Sequence, residues 1–174
     1  MIDFHAMAAS TAAFVQQHQA LTPLVVFALA FGESLAVVSL FFPATVLMLA
    51  IGGVMEAAGI HFWPVWAAAA AGAVLGDSVS YWIGFRYKDE ARQLWPLSRR
   101  PDLVARGEAF FHRFGVWSIA LGRFFGPVRA VVPLIAGILA MRQLPFQVAN
   151  VASALVWAFA LLAPGAVLIK GLGW

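Results

Sequence analysis

The 174-residue chain has no cysteine, which excludes disulfides, thiolate metal sites and thiol nucleophiles. Charge is nearly as scarce. Asp, Glu, Lys and Arg make up 11% of the residues, against about 25% in soluble proteins. Hydrophobic residues make up 63%. A soluble domain of this length has no means of hiding so much apolar surface. The composition reads as an integral membrane protein with room for one domain. The four histidines, His5, His18, His61 and His112, lack metal-ligand spacing, so no metal site is expected. No HExxH and no nucleophile–base pair occurs, so neither an enzyme nor a cofactor is expected. The first 20 residues contain no lysine or arginine. The positive n-region of a cleavable signal peptide is therefore missing.

Apolar sequence is what the chain has in abundance. Four long stretches hold only four charges, and these cancel: Leu24–Met55 carries Glu33, Ile60–Phe85 carries Asp77, Phe114–Met141 carries Arg123 and Arg129, and Gln143–Ile169 carries none. One charge at the bilayer centre costs roughly 2.5–3.5 kcal/mol on the translocon scale, and four unpaired ones on the order of 10 kcal/mol. Such a cost is tolerable only if the charges face one another, a wet cavity or a charged ligand.

Seven of the eleven basic residues fall between Arg86 and Arg113. The positive-inside rule puts this loop in the cytoplasm. Its concentrated charge is better explained as a topology signal than as a nucleic-acid footprint. Within it, Leu103, Val104, Phe110, Phe111 and Phe114 recur at helical spacing after Pro101, which predicts an amphipathic surface helix over Asp102–Phe114. A weaker one is expected over Met1–Ala20. The organisation is one domain over 1–174, with a first half 1–85, the loop and amphipathic helix 86–113, and a second half 114–174.

Ile60–Phe85 and Gln143–Ile169 each have the roughly 20 residues needed to span hydrocarbon. Phe62, Trp63 and Trp66 at one end of the first, with Tyr81, Trp82 and Tyr87 at the other, fit two aromatic belts. Pro164-Gly165 should kink or end the second. The other two stretches are broken in mid-course, by Pro43 in one and by Gly126-Pro127 and Pro133 in the other. Proline removes a backbone donor and clashes with the preceding turn. Hydropathy leaves two readings level, a re-entrant hairpin and a kinked spanning helix.

An internal repeat favours the hairpin. Phe31-Gly32, eight residues, then Phe41-Phe42-Pro43 matches Phe114-Gly115, eight residues, then Phe124-Phe125-Gly126-Pro127. With one residue inserted, Pro43 aligns with Pro127, Thr45 with Arg129 and Gly53 with Gly137. Broken segments at matching positions of two halves point to a transporter's midplane site.

Arg123 and Arg129 bracket the second break. A guanidinium is planar, permanently charged and suited to two-pronged contact with phosphate or carboxylate oxygens. Two of them beside unwound backbone would cradle a phosphate. The alternative is snorkelling to the interface, more plausible for Arg123 than for Arg129. Glu33 is a candidate proton-coupling group, because a carboxylate can trade an arginine partner for a proton; a static ion pair is the alternative. Asp77 shares a helix face with Gly72, Gly76 and Ser80, where small residues permit close approach. It is either a site carboxylate facing the partner hairpin or a packing device. Asn150 reads as a helix–helix hydrogen bond.

Together these residues resemble the DedA family, whose eukaryotic relatives are the lipid-scrambling VTT-domain proteins. The resemblance rests on the acid in FGES followed by FFP, then GDSVSYWIGFR, FHRFG and GRFFGPVRAVVPLIAGILAM, followed by Phe146–Asn150 and Trp157. It implies an all-α integral membrane protein with an inverted repeat of two re-entrant helical hairpins, each followed by a transmembrane helix, plus amphipathic surface helices. It implies a multi-pass protein of the bacterial inner membrane that translocates a polyprenyl phosphate or phospholipid. The implied substrate is undecaprenyl phosphate, returned for envelope synthesis, with proton coupling in view. The family's acid maps onto Glu33 and its arginines onto Arg123 and Arg129. One departure stands out. Many relatives carry an acid after the first break, where this chain has Pro43-Ala44-Thr45. Arg129 then lacks that partner, leaving Asp77 or the substrate phosphate to neutralise it.

The expectation is therefore a flippase for an anionic polyprenyl phosphate. Arg123 and Arg129 bind the phosphate, and Glu33 and Asp77 form ion pairs or carry protons. Pro43, Thr45, Gly126, Pro127 and Pro133 form the breaks. The expected partners are membrane lipids and polyprenyl phosphate, with homo-oligomerisation left open. A proton-coupled ion or small-molecule transporter and a non-transporting membrane-assembly protein are the alternatives.

Overall fold

A computed structural model describes residues 19–35, 48, 51–55, 59–88, 90, 98, 101–125, 129 and 131–171. Most of these residues are helical, the rest lie in turns, bends or short irregular connections, and there is no strand among them. Among the described residues, a short 3-10 turn at Gln19–Leu21 is followed by the helices α1 Thr22–Ser34, α2 Phe62–Tyr87, α3 Pro101–Phe114, α4 Trp117–Gly122, α5 Val132–Ile138 and α6 Gln143–Gly171. Residues 51–55 add a further helical segment. The expected surface helix over Met1–Ala20 and the breaks at Pro43, Thr45, Gly126 and Pro127 lie outside the described residues.

Two long helices form the frame. α2 has 26 residues and α6 has 29, lengths of about 39 and 44 Å at 1.5 Å per residue. Gln143–Pro164 is long and apolar enough to cross a membrane. α6 does not end at Pro164 but continues to Gly171. The missing donor there costs one backbone bond, which the rest of a long helix outweighs. α4 and α5, by contrast, have six and seven residues. Each is about 10 Å long, far short of the roughly 30 Å of hydrocarbon. Pro133, expected among the breaks, borders one. It sits in the first turn of α5, where its absent N–H has no helical acceptor to lose.

Glycines set how closely the helices approach. A Cβ on Gly72 would lie 2.3 Å from the Phe27 carbonyl oxygen, and one on Gly76 would lie 2.6 Å from that of Phe31. Bare backbone on α2 thus admits α1. At the other end of α2 a Cβ on Gly84 would meet the Leu134 oxygen at 2.1 Å, and one on Gly137 the Tyr81 oxygen at 2.0 Å. A comparable contact joins residues 51–55 to α6, where a Cβ on Gly52 would meet the Leu162 oxygen at 2.3 Å. The Gly72-xxx-Gly76 stripe is accordingly an internal packing groove.

Apolar packing divides into two levels. One cluster joins Val65, Ala69 and Ala73 of α2 to Val26 and Ala30 of α1, and to Ala154, Ala158 and Leu162 of α6. Another joins Tyr81 to Ile119, Val132, Ala136 and Phe146. On α2 the polar Asp77 falls between these levels, and on α6 Asn150 and Ser153 do. Tyr81, expected in an aromatic belt, is buried. It stacks on Phe146 at 4.3 Å, and its hydroxyl donates to the Met141 carbonyl at 2.5 Å. Trp63 and Trp82 remain 66% and 59% exposed.

α3 runs from Pro101, one residue before the expected start. Its apolar side does more than lie on a surface: Val104 and Phe111 pack with Val131, Leu134 and Ile135. Gly115, at φ 55°, ends it with a left-handed turn that a side chain would strain. The outward face of α6 is oily, with Leu144, Val148 and Val156 60–76% exposed.

Candidate anion site at crossed ion pairs

The site is built by four elements and the break between α4 and α5. Glu33 stands in the last turn of α1, which stops at Ser34. Ser80 of α2 donates its hydroxyl to the Ser34 carbonyl at 3.2 Å, satisfying one carbonyl freed at that helix end. With Gly76 beneath it, this bond pins the end of α1, and hence Glu33, against the middle of α2. Arg123 caps α4. Arg129 lies in the break before α5, its N–H reaching the Phe125 carbonyl at 3.4 Å.

The two acids come from the first half and the two arginines from the second, and they pair across. Arg129 Nη1 donates to Glu33 Oε1 at 2.7 Å. Arg123 Nη2 donates to Asp77 Oδ2. The Arg123 and Asp77 side chains are 2% and 9% exposed, so neither reaches bulk solvent. This corrects the snorkelling alternative for Arg123. It also answers what neutralises Arg129: Glu33 does, and Asp77 is taken by Arg123. The charges balance, which is the condition for burying them.

α6 supplies the remaining contacts from positions 150, 153 and 157, which share one helical face. Asn150 Oδ1 accepts from Arg123 Nη2 at 2.6 Å, and Ser153 Oγ accepts from Arg123 Nε at 3.1 Å. Asn150 Nδ2 donates to the Val74 carbonyl at 3.1 Å. Asn150 therefore is a helix–helix bond and an arginine holder at once. The indole of Trp157 lies beneath both guanidiniums, 4.8 Å from that of Arg129 and 5.9 Å from that of Arg123. Both distances are within cation–π range.

Arg123 Nη1 is buried and has no hydrogen-bond partner among the described residues. A buried donor left unmade costs about 1–3 kcal/mol. Arg129, at 12%, is the most exposed of the four charged side chains.

Sequence reasoning did not single out Ser78, Ser80, Gln147 or Ser153 as site residues, and it had Trp157 only through resemblance. A signal was present: Asn150, Ser153 and Trp157 are polar or polarisable side chains on one face of a stretch, Gln143–Ile169, that carries no charge.

An all-α fold with charge-balanced side chains buried among apolar helices defines a class of membrane protein. The VTT domain model matches residues 42–167, and the chain belongs to this family, the DedA family. It is 34% identical to the inner membrane protein YabI of Escherichia coli over 144 residues, 83% of this chain and 57% of YabI. An uncharacterized membrane protein of Buchnera aphidicola from Acyrthosiphon pisum is 30% identical over 154 residues, 88% of this chain and 60% of that one. An uncharacterized membrane protein of Mycobacterium tuberculosis H37Rv is 39% identical over 95 residues, 52% of this chain and 44% of that one. The chain thus spans no more than about three-fifths of the length of these relatives. No solved structure matches it.

Proposed function

We propose that the protein moves an anionic lipid phosphate across the bacterial inner membrane, with undecaprenyl phosphate as the substrate. Arg123 and Arg129 grip the headgroup while the tail stays in lipid. The observation that carries this is the crossed pairing of a buried and a largely buried arginine with two acids, beside a buried Arg123 Nη1 that has no hydrogen-bond partner among the described residues. An arriving phosphate replaces carboxylate as the guanidinium partner. The released Glu33 then takes a proton, which couples transport to proton movement.

The architecture in this reading is two opposed re-entrant hairpins. α4 and α5 are the legs of the second, and α1 and residues 51–55 belong to the first. Two glycine contacts support it, although Gly52 is one residue before the Gly53 that the repeat pairs with Gly137. Gly137, after the second break, packs on α2, while Gly52, after the first break, packs on α6. Each hairpin leans on the long helix of the other half. Tyr81 is 19 residues from the start of α2, and Leu162 is 19 residues from the start of α6, so the contacted positions also correspond. The basic loop 86–113 faces the cytoplasm. The exposed apolar residues of α6 face lipid.

The test is translocation of undecaprenyl phosphate in proteoliposomes. Arg123→Lys and Arg129→Lys keep the charge but lose the fork, so both should transport poorly while remaining folded. Full translocation by the double lysine variant would overturn the arginine-grip assignment, and no translocation by the parent protein would indicate a membrane-assembly role. Flux that ignores the headgroup would indicate an ion or small-molecule transporter.

A further inference from the structure

A cavity of about 790 Å³ lies between α2 and the start of α6, apart from the arginine pair. Its size falls among small-molecule sites, which run roughly 300–1,000 Å³. One wall is apolar and open: Leu75, Val79, Trp82 and Phe85 line it, each 38–59% exposed. The rest of the lining combines Tyr81, Ala140 and Met141 with four polar residues. Arg142 and Gln143 stand at the N-terminal end of α6, and Ser78 and Gln147 stand deeper. An oily wall beside one exposed cation matches an amphiphile with a negative head. A soluble anion would leave the oily wall unused, and a neutral lipid would leave Arg142 unused.

The polar side does not stop at the cavity. Gln147 Nε2 donates to Ser78 Oγ at 3.0 Å. Ser78 Oγ and Asn150 Nδ2 are 3.5 Å apart, and Asn150 Oδ1 holds Arg123. Ser78 is adjacent in sequence to Asp77, and Gln147 is one helical turn before Asn150 on α6. A continuous run of hydrogen-bonding groups thus joins the groove to the buried ion pairs.

We infer, resting on the lipid-phosphate reading above, that this groove is a second lipid site, where Arg142 receives the headgroup of a prenyl monophosphate and the tail lies along Val79 and Trp82. The Gln147–Ser78–Asn150 chain is then the route by which the headgroup passes inward to Arg123. Arg142 is a loading residue. It fixes which lipids queue at the site, while Arg123 and Arg129 hold the one that crosses.

The experiment places a photoreactive benzophenone amino acid at Val79 in the full-length protein, reconstituted in phosphatidylcholine vesicles with a radiolabelled prenyl monophosphate. The label should crosslink at that position. The yield should drop about ten-fold with Arg142→Gln, the loss expected for one charge-assisted contact. It should persist in Arg129→Lys, and excess inorganic phosphate should not displace it. Gln147→Leu should slow translocation. An equal yield from the uncharged prenol, or no response to Arg142→Gln, would overturn the inference. So would displacement by inorganic phosphate. The two readings fail separately. Loss of translocation in Arg129→Lys without any crosslink at Val79 removes the groove and keeps the arginine site. An Arg142-dependent crosslink with undiminished translocation in Arg129→Lys keeps the groove and removes the arginine site.

Discussion

Glu33 and Arg129 lie 96 positions apart in sequence and 2.7 Å apart in space, joined by an ion pair that ties the end of α1 to the break before α5. Thr45 does not leave Arg129 without a carboxylate partner, because Glu33 supplies one from another element. A double-mutant cycle on Glu33→Ala and Arg129→Ala, followed by thermal unfolding in detergent, should give a coupling energy of about 0.5–3 kcal/mol. Additive losses would show that the two side chains do not interact.

The Asp77–Arg123 pair is the more buried of the two. Removing one member strands the other charge, at a cost of about 3–5 kcal/mol. Asp77→Ala and Arg123→Ala should each unfold readily, and the double variant Asp77→Asn/Arg123→Gln should recover much of the loss. Comparison of melting temperatures by size-exclusion profile checks this. A double variant worse than either single one would contradict it.

Asn150 bonds both Arg123 and the Val74 carbonyl, so Asn150→Leu leaves polar groups unmade on two elements. Each unmade buried group costs about 1–3 kcal/mol. The same change should lower translocation through misplacement of Arg123. Asn150→Gln should not rescue it fully, since its longer chain moves the amide off both partners.

Trp157 stabilises two cations at once, at up to about 2 kcal/mol for a desolvated contact. Melting temperature should fall in the order Trp157, Trp157→Phe, Trp157→Leu. A leucine variant as stable as the parent would mean that packing alone accounts for the residue.

Backbone contact at Gly137 leaves no space for a methyl group, with a carbonyl oxygen 2.0 Å from the would-be Cβ. Gly137→Ala should cost at least the roughly 1–3 kcal/mol typical of overpacking. Gly107→Ala should be nearly neutral, because its nearest contact is a side-chain carbon of Ile135 at 3.3 Å, which can yield.

Sequence by itself determined the membrane character, the two long helices, α3 and the four charges in apolar surroundings. These follow from composition and periodicity, which are local properties. It also placed Asn150 between helices and Gly72 and Gly76 in a packing groove. It did not determine which acid meets which arginine, that Tyr81 turns inward, or that Pro133 begins a helix. Nor did it find the Trp157 shelf or the groove at Arg142. Those depend on how distant segments are rotated and brought together, and only the tertiary contacts at bare glycine backbone set that geometry.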